Sequence, residues 1–221
     1  MAVPYDGLSF ERLGHASVRI ETDDGTVVYI DPWSQVVDDD PGDADVVFVT
    51  HDDTDHYDLE AIEAVSSPGT AIVAYEAIDT GDLDREVTPL AYDGEARVEG
   101  IEVRAVPAHN LPDGEHVDDD GNPFHAEGEV IGLVLGFDGT TVFFTSDTDV
   151  LPDHEGIAAD VLIPPIGGHY TMDRHEAADL AEIVGAKLVL PVHYDTFEAI
   201  ETDADAFAED VEGRGIRVEL F

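Results

Sequence analysis

The hexapeptide His51-Asp52-Asp53-Thr54-Asp55-His56 crowds imidazoles and carboxylates into one short stretch. In a partly extended loop His51 and Asp53, at i and i+2, project to one side, while Asp55 and His56 lie beyond a turn and can face a second ion. The plainer reading of the hexapeptide alone is a charged turn in an acidic chain, since short motifs arise by chance. Three more residues argue against that reading. His109, Asp147 and His193 each lie one to three residues past an apolar run, at residues 101–106, 140–146 and 187–190. The hexapeptide itself follows the apolar run 45–50, DVVFVT. Four strand-end loops carrying such groups predict one convergent metal site.

The elements that must position these loops are legible from hydrophobic period and turn chemistry. Residues 8–12, 17–22 and 26–31 read as short strands, the last two flanking the hairpin signal Asp23-Asp24-Gly25. Residues 45–50 and 70–75 are continuous apolar runs of the kind buried on both faces, with a helix over 59–65 between them. Strands follow at 86–90, 96–98, 101–106, 129–137 and 140–146, with a long polar loop over 107–125. After residue 160 strands at 161–163, 187–190 and 216–220 alternate with helices over 173–184 and 203–212. Asp173 followed by Glu176 predicts a capping box. With no linker rich in Pro, Gly or Ser, residues 1–221 are expected to form a single domain with two sheets face to face and helices outside.

Composition removes several functions. The chain has 221 residues, 52 acids against 9 Lys plus Arg, a net charge of −43, 10 histidines and no cysteine. Disulfides, zinc–thiolate sites and iron–sulfur clusters are therefore excluded. A nucleic-acid partner is not expected, because binding phosphates needs cations to displace counterions. No apolar run approaches the roughly 18 residues of a membrane span, and the N-terminal stretch MAVPYDGLSFERLGH lacks the basic and apolar regions of a secretory signal, so a cytoplasmic location is expected. The acids are spread along the chain. Such self-repulsion suits a cytoplasm at molar salt, where the Debye length falls to about 3 Å.

The segments LGHASVRIE, IDPW, PAHN, GNP, FFTSDTD, PPIGGHYTMD and PVHYDTFEAI resemble the metallo-β-lactamase superfamily, and within it the small metal-dependent hydrolases near the ascorbate-6-phosphate lactonases. The resemblance covers nearly the whole chain. It implies an α+β fold, a four-layer αββα sandwich, with a dinuclear site at one edge. It implies that His51 and His109 bind a first metal, that Asp55, His56 and His193 bind a second, and that Asp147 bridges them. Position 53 departs from the family pattern, whose usual second histidine is Asp53 here. A carboxylate is the harder ligand and moves preference from zinc toward manganese or iron. The alternative is that Asp53 binds weakly and leaves a single well-occupied metal.

The expected cofactors are accordingly two divalent ions, zinc or manganese, with iron compatible. The expected activity is hydrolysis of a small ester, lactone or phosphoester by a metal-bridged hydroxide that Asp55 orients. His169 and Tyr194 are candidate catalytic groups. Tyr170, His15 and Asn110 are candidate substrate contacts. His116, His125, His154 and His175 lie in polar stretches and are expected at the surface, and Asp118–Asn122 is read as an acidic turn rather than a calcium loop. The partner is a small molecule, and a homo-oligomer is compatible with the reading. Two other functions fit the same residues: a diiron oxygen or nitric oxide reductase, motivated by Asp53 but lacking room for a flavin module, and a non-catalytic metal-binding protein on the same fold.

Overall fold

The computed structural model describes residues 2–221. The first seven strands pair in chain order into one sheet: β1 (Val3–Tyr5), β2 (Leu8–Gly14), β3 (Ser17–Thr22), β4 (Val27–Ile30), β5 (Ala44–Val49), β6 (Ser66–Tyr75) and β7 (Val87–Leu90). The second sheet holds β8 (Glu95–Val98), β9 (Ile101–Ala108), β10 (Val130–Phe137), β11 (Thr140–Phe144), β12 (Val161–Ile163), β13 (Leu188–Val189) and β14 (Arg217–Val218), also in chain order. Each sheet is antiparallel over its first four strands and parallel over the rest. The changeover follows from connection length. Tight turns such as Asp138-Gly139 can return a chain only antiparallel, whereas a parallel neighbour needs a crossover.

Facing side chains of the two sheets, among them Ile20, Phe48, Ile131, Leu133, Phe144 and Ile163, form one apolar cluster. The far side of the second sheet (Phe143, Leu162 and Val189) packs under α2 (Arg174–Ile183) and α3 (Ala204–Gly213) through Leu180, Phe207 and Val211. On the first sheet α1 (Leu59–Val65) contributes Ile62 and Val65. Helix, sheet, sheet and helix make the expected αββα sandwich. The α2 capping box is present as read: Asp173 accepts from the amides of His175 and Glu176, and Glu176 accepts from that of Asp173. The three-residue β1, VPY, was too short to leave a periodic signal. Among the described residues no helix is long and apolar enough to cross a membrane.

This topology sends the C-terminal ends of β4, β5, β9, β11 and β13 to one edge. β4 and β5 are parallel, β9 and β11 both run against β10, and β13 follows β11 through β12. Chain direction therefore delivers Asp31, His51, His109, Asp147 and His193 to the same rim.

Of the four histidines expected at the surface, only His175 is there; His116, His125 and His154 are buried. His154 is enclosed beneath Phe143, accepts from the Leu151 amide through Nδ1, and lies 3.4 Å from the Pro107 carbonyl through Nε2. Burial pushes its pKa down to about 4, so the folded protein holds it neutral. The unfolded chain, with a histidine pKa near 6.5, binds the proton first. This contribution to stability, about 3 kcal/mol, is complete above pH 6.5 and is lost as pH falls toward 4. Denaturant titrations between those limits should show the slope in the parent protein and a shallower one in His154→Gln.

A candidate metal centre at the sheet edge

Thr50 and Asp31 set the geometry of the hexapeptide before any cation is considered. Asp31 is fully buried at the end of β4 and accepts from the Thr50 amide (2.9 Å), the Thr50 hydroxyl (2.7 Å) and His56 Nδ1 (2.8 Å). Because the Thr50 proton is committed to Asp31, His51 Nδ1 must be the donor in its 2.9 Å contact with Thr50 Oγ1. Both imidazoles are thereby fixed with Nε2 facing the rim, and both Nε2 atoms are buried without a hydrogen-bond partner. A buried imidazole nitrogen with its other nitrogen anchored is the arrangement metal-ligating histidines adopt.

Asp147 stands opposite. Its Oδ2 is 3.1 Å from His193 Nε2, 3.5 Å from His56 Nε2 and 3.6 Å from His125 Nε2. Asp55 Oδ2 accepts from His15 Nε2 at 2.8 Å and lies 4.0 Å from His56 Nε2. Asp53 Oδ2 is 3.6 Å from His51 Nε2 and 3.4 Å from His125 Nε2. Three groups of donors result, each with its atoms within 4.8 Å of one another: His15, Asp55, His56 and His193; Asp31, His51 and His56; and His51, Asp53 and His125. A tetrahedral ion with ligands at 2.0–2.1 Å spaces its donors roughly 3.4 Å apart, so these separations suit shared cations.

The protonation pattern agrees. Burial opposes charge on His56, but Asp147 and Asp31 outweigh it and raise its pKa well above the usual value. Burial also opposes the Asp147 carboxylate, yet His193 and His56 hold it well below the ordinary range. The nearby imidazoles of His125 and then His51 keep Asp53 ionised far below its usual pKa. Asp55, pushed up by burial, is brought down to about 2 chiefly by its bond to His15. Positive charge on His56 and His125 is thus favoured, while burial holds His51 and His15 below the usual value, and cation binding would displace any imidazole protons.

Backbone conformation is unusual here. His15, Asp31, Ser146, His169 and His193 all have φ between 47° and 58°. The left-handed region costs non-glycine residues on the order of 1 kcal/mol each and persists where surrounding contacts impose it. For His193 those contacts are the bond from its amide to the His15 carbonyl and the close approach of Gly167. A Cβ at position 167 would stand 2.5 Å from the His193 carbonyl, so only glycine fits.

The remaining candidates separate clearly. His15 is buried, packs tilted against His193 at 4.1 Å between ring centroids, and orients Asp55. His109 belongs to none of these donor groups; its main chain is tied to Thr148 and its Nδ1 is buried without a partner. Asn110, read from sequence as a substrate contact, is fully buried and spends its amide on Asp149, the Tyr170 carbonyl and the His125 amide. It clamps a loop, because the 107–125 segment closes over it. Tyr194 packs in the cluster beneath α2 and α3 with the Arg12 guanidinium 4.0 Å over its ring, a placement that fits support of the site floor. His169 is exposed and, with Tyr170, leans on Phe124. Phe124 lines a cleft of about 320 Å³ beside His51, Asp53 and His125, completed by Ala77, Ile78 and Glu129.

Sequence reasoning missed Asp31, Thr50 and His125. Asp31 carried a usable signal, being an acid at a strand end just before Pro32. His125 carried none of that kind, because it precedes β10 instead of following a strand.

Two facing mixed sheets with a histidine–carboxylate rim define a superfamily. Residues 9–193 match the beta-lactamase superfamily domain. The UPF0173 metal-dependent hydrolase of Methanosphaerula palustris is 36% identical over 206 residues, 90% of this chain and 89% of that protein. A solved protein of Parabacteroides distasonis superposes with a TM-score of 0.85 at 26% identity, over 99% of this chain and 97% of the other. Igni18, a metallo hydrolase from Ignicoccus hospitalis, gives 0.79 at 25% identity, over 97% and 94%. The chain belongs to the UPF0173 metal-dependent hydrolase family of the metallo-β-lactamase superfamily.

Proposed function

We propose that the chain is one hydrolase domain over residues 1–221 that cleaves a small ester, lactone or phosphoester with two divalent cations, zinc or manganese, iron being compatible with the carboxylates. The observation that carries this reading is Asp147 Oδ2 held 3.1–3.6 Å from the Nε2 atoms of His193, His56 and His125, with the Nε2 atoms of His51 and His56 buried and unpartnered. His51, His109 and Asp53 would hold one cation, Asp55, His56 and His193 the other, and Asp147 both. Such a pair, when bound, supplies a water of pKa near 7 and polarises the scissile centre.

The protein's own groups do the rest. Asp55, fixed by His15, is placed to orient the attacking water through its carboxylate. Ser146 and Thr50 hydroxyls are buried and bonded to each other, and so act as anchors for His51 rather than nucleophiles. The cleft beside His51 presents Ala77, Ile78 and Phe124 to the substrate, with acids and no Lys or Arg among its lining residues. That lining favours an uncharged acyl group over a phosphate. The motif likeness to the ascorbate-6-phosphate lactonases makes lactones the first compounds to assay. Prolonged chelation should abolish ester and lactone hydrolysis, and added manganese or zinc should restore it. Undiminished turnover in chelated, metal-free protein would refute the reading.

The acidic surface fits a cytoplasm at molar salt. Several of its few cations are already engaged, as in Arg19 with Glu21 and Asp43, Arg85 with Glu63, and Lys187 with Asp160. Raising KCl from about 0.1 M to about 1 M shortens the screening length from about 10 Å to about 3 Å. The thermal midpoint should rise over that range, and a flat response would count against adaptation to salt.

A further inference from the structure

Resting on the metal-hydrolase reading above, we infer that His125 is a ligand of the cation held by His51 and Asp53, delivered to the rim by the 107–125 loop. Its Nε2 is 3.4 Å from Asp53 Oδ2 and 3.6 Å from Asp147 Oδ2, both near the roughly 3.4 Å spacing of donors around a tetrahedral ion. With His51 Nε2 3.6 Å from the same Asp53 oxygen, the three donors surround one point. The ring stands edge-on to His51 at 5.6 Å between centroids, so neither imidazole blocks the other.

The loop is built to hold this histidine still. The Asn110 amide donates to the His125 carbonyl, and Asn110 Oδ1 accepts from the His125 amide, both at 2.8 Å. Asn110 is held in turn by Asp149 Oδ1 at 2.8 Å, and Asp149 also accepts from the Leu111 amide and His116 Nδ1. Asp149 lies two residues beyond Asp147, so one short segment carries the central carboxylate and anchors the loop that brings His125 to it. A surface histidine would need no such framework. The buried His125 Nδ1 has no hydrogen-bond partner, which leaves Nε2 as the atom aimed at the carboxylates. Closing a 19-residue loop on a buried imidazole makes chemical sense where a cation rewards it.

Cobalt(II) binding to the full chain tests this with readouts independent of turnover. The parent protein should bind two cobalt ions. His125→Ala should keep one tight site and bind the other at least about 100-fold more weakly. His125→Gln preserves the backbone bonds to Asn110 and most of the volume, and guards against a folding defect. In cobalt-loaded His125→Gln, one paramagnetically shifted imidazole N–H resonance present in the parent should be missing. If the parent binds two cobalt ions and both variants do so with unchanged affinity and resonance count, the assignment of His125 fails while the hydrolase reading stands. If the parent binds no cobalt, both fail.

Discussion

Asp147→Ala is expected to lower kcat/KM for the best ester or lactone substrate by at least about a thousand-fold, and to remove most bound metal. The expectation follows from position. One oxygen of this buried carboxylate serves His193, His56 and His125 at once. No neighbouring side chain can replace it, since Asp53 and Asp55 are engaged with His51 and His125 on one side and His15 on the other. The variant should also lower the pKa of His56, which loses the strongest of the groups that favour its charge. Steady-state kinetics with metal analysis of the same sample check both effects. A variant within about tenfold of the parent would remove Asp147 from the reacting centre.

Asp31→Ala should have the second largest effect, though Asp31 is fully buried behind His56 and Thr50. Its carboxylate receives the Thr50 amide, the Thr50 hydroxyl and His56 Nδ1 in a fully buried setting. Deleting it strands three donors and removes the partner of a charged imidazole. Breaking a buried pair of this kind costs about 3–5 kcal/mol. It also frees the Thr50 proton that fixes the tautomer of His51, so metal affinity should fall about 10–100-fold. Denaturant unfolding in chelator reads the first quantity, and metal titration of the folded variant reads the second. Asp31→Asn should be intermediate, because an amide can still accept from Thr50 but cannot balance charge on His56. An Asn variant as stable as the parent would mean that charge balance at His56 contributes nothing.

Much of this arrangement was legible in sequence, for physical reasons that can be named. Strands such as β5 are continuous apolar runs because both faces are covered, and the hexapeptide stands out because it follows one directly. Asp147 and His193 were found by the same rule, that a parallel or same-direction strand end delivers its next residues to the active rim. The rule fails where a ligand-bearing loop is ordered by side-chain bonds instead of a strand. The acidic, glycine-containing stretch 107–125 looks like solvent-exposed chain. Its order comes from Asn110, His116 and Asp149, which meet only after folding. That is also why Asn110 resembled a substrate contact and His116 a surface residue. Tyr194 was misjudged for a related cause: its neighbour in sequence, His193, is at the rim, but a left-handed turn at His193 sends the tyrosine ring down into the core.

The central claim is that this rim holds two cations about the Asp147 carboxylate. Anomalous diffraction from crystals soaked in manganese or zinc, collected on both sides of the metal's absorption edge, tests it most directly. The account predicts two edge-dependent peaks about 3.5–4 Å apart, flanking Asp147 and each reached by donors of the hexapeptide. Crystals that show no anomalous density between His51, His56, Asp147 and His193, at metal concentrations that sustain hydrolysis in solution, would contradict it.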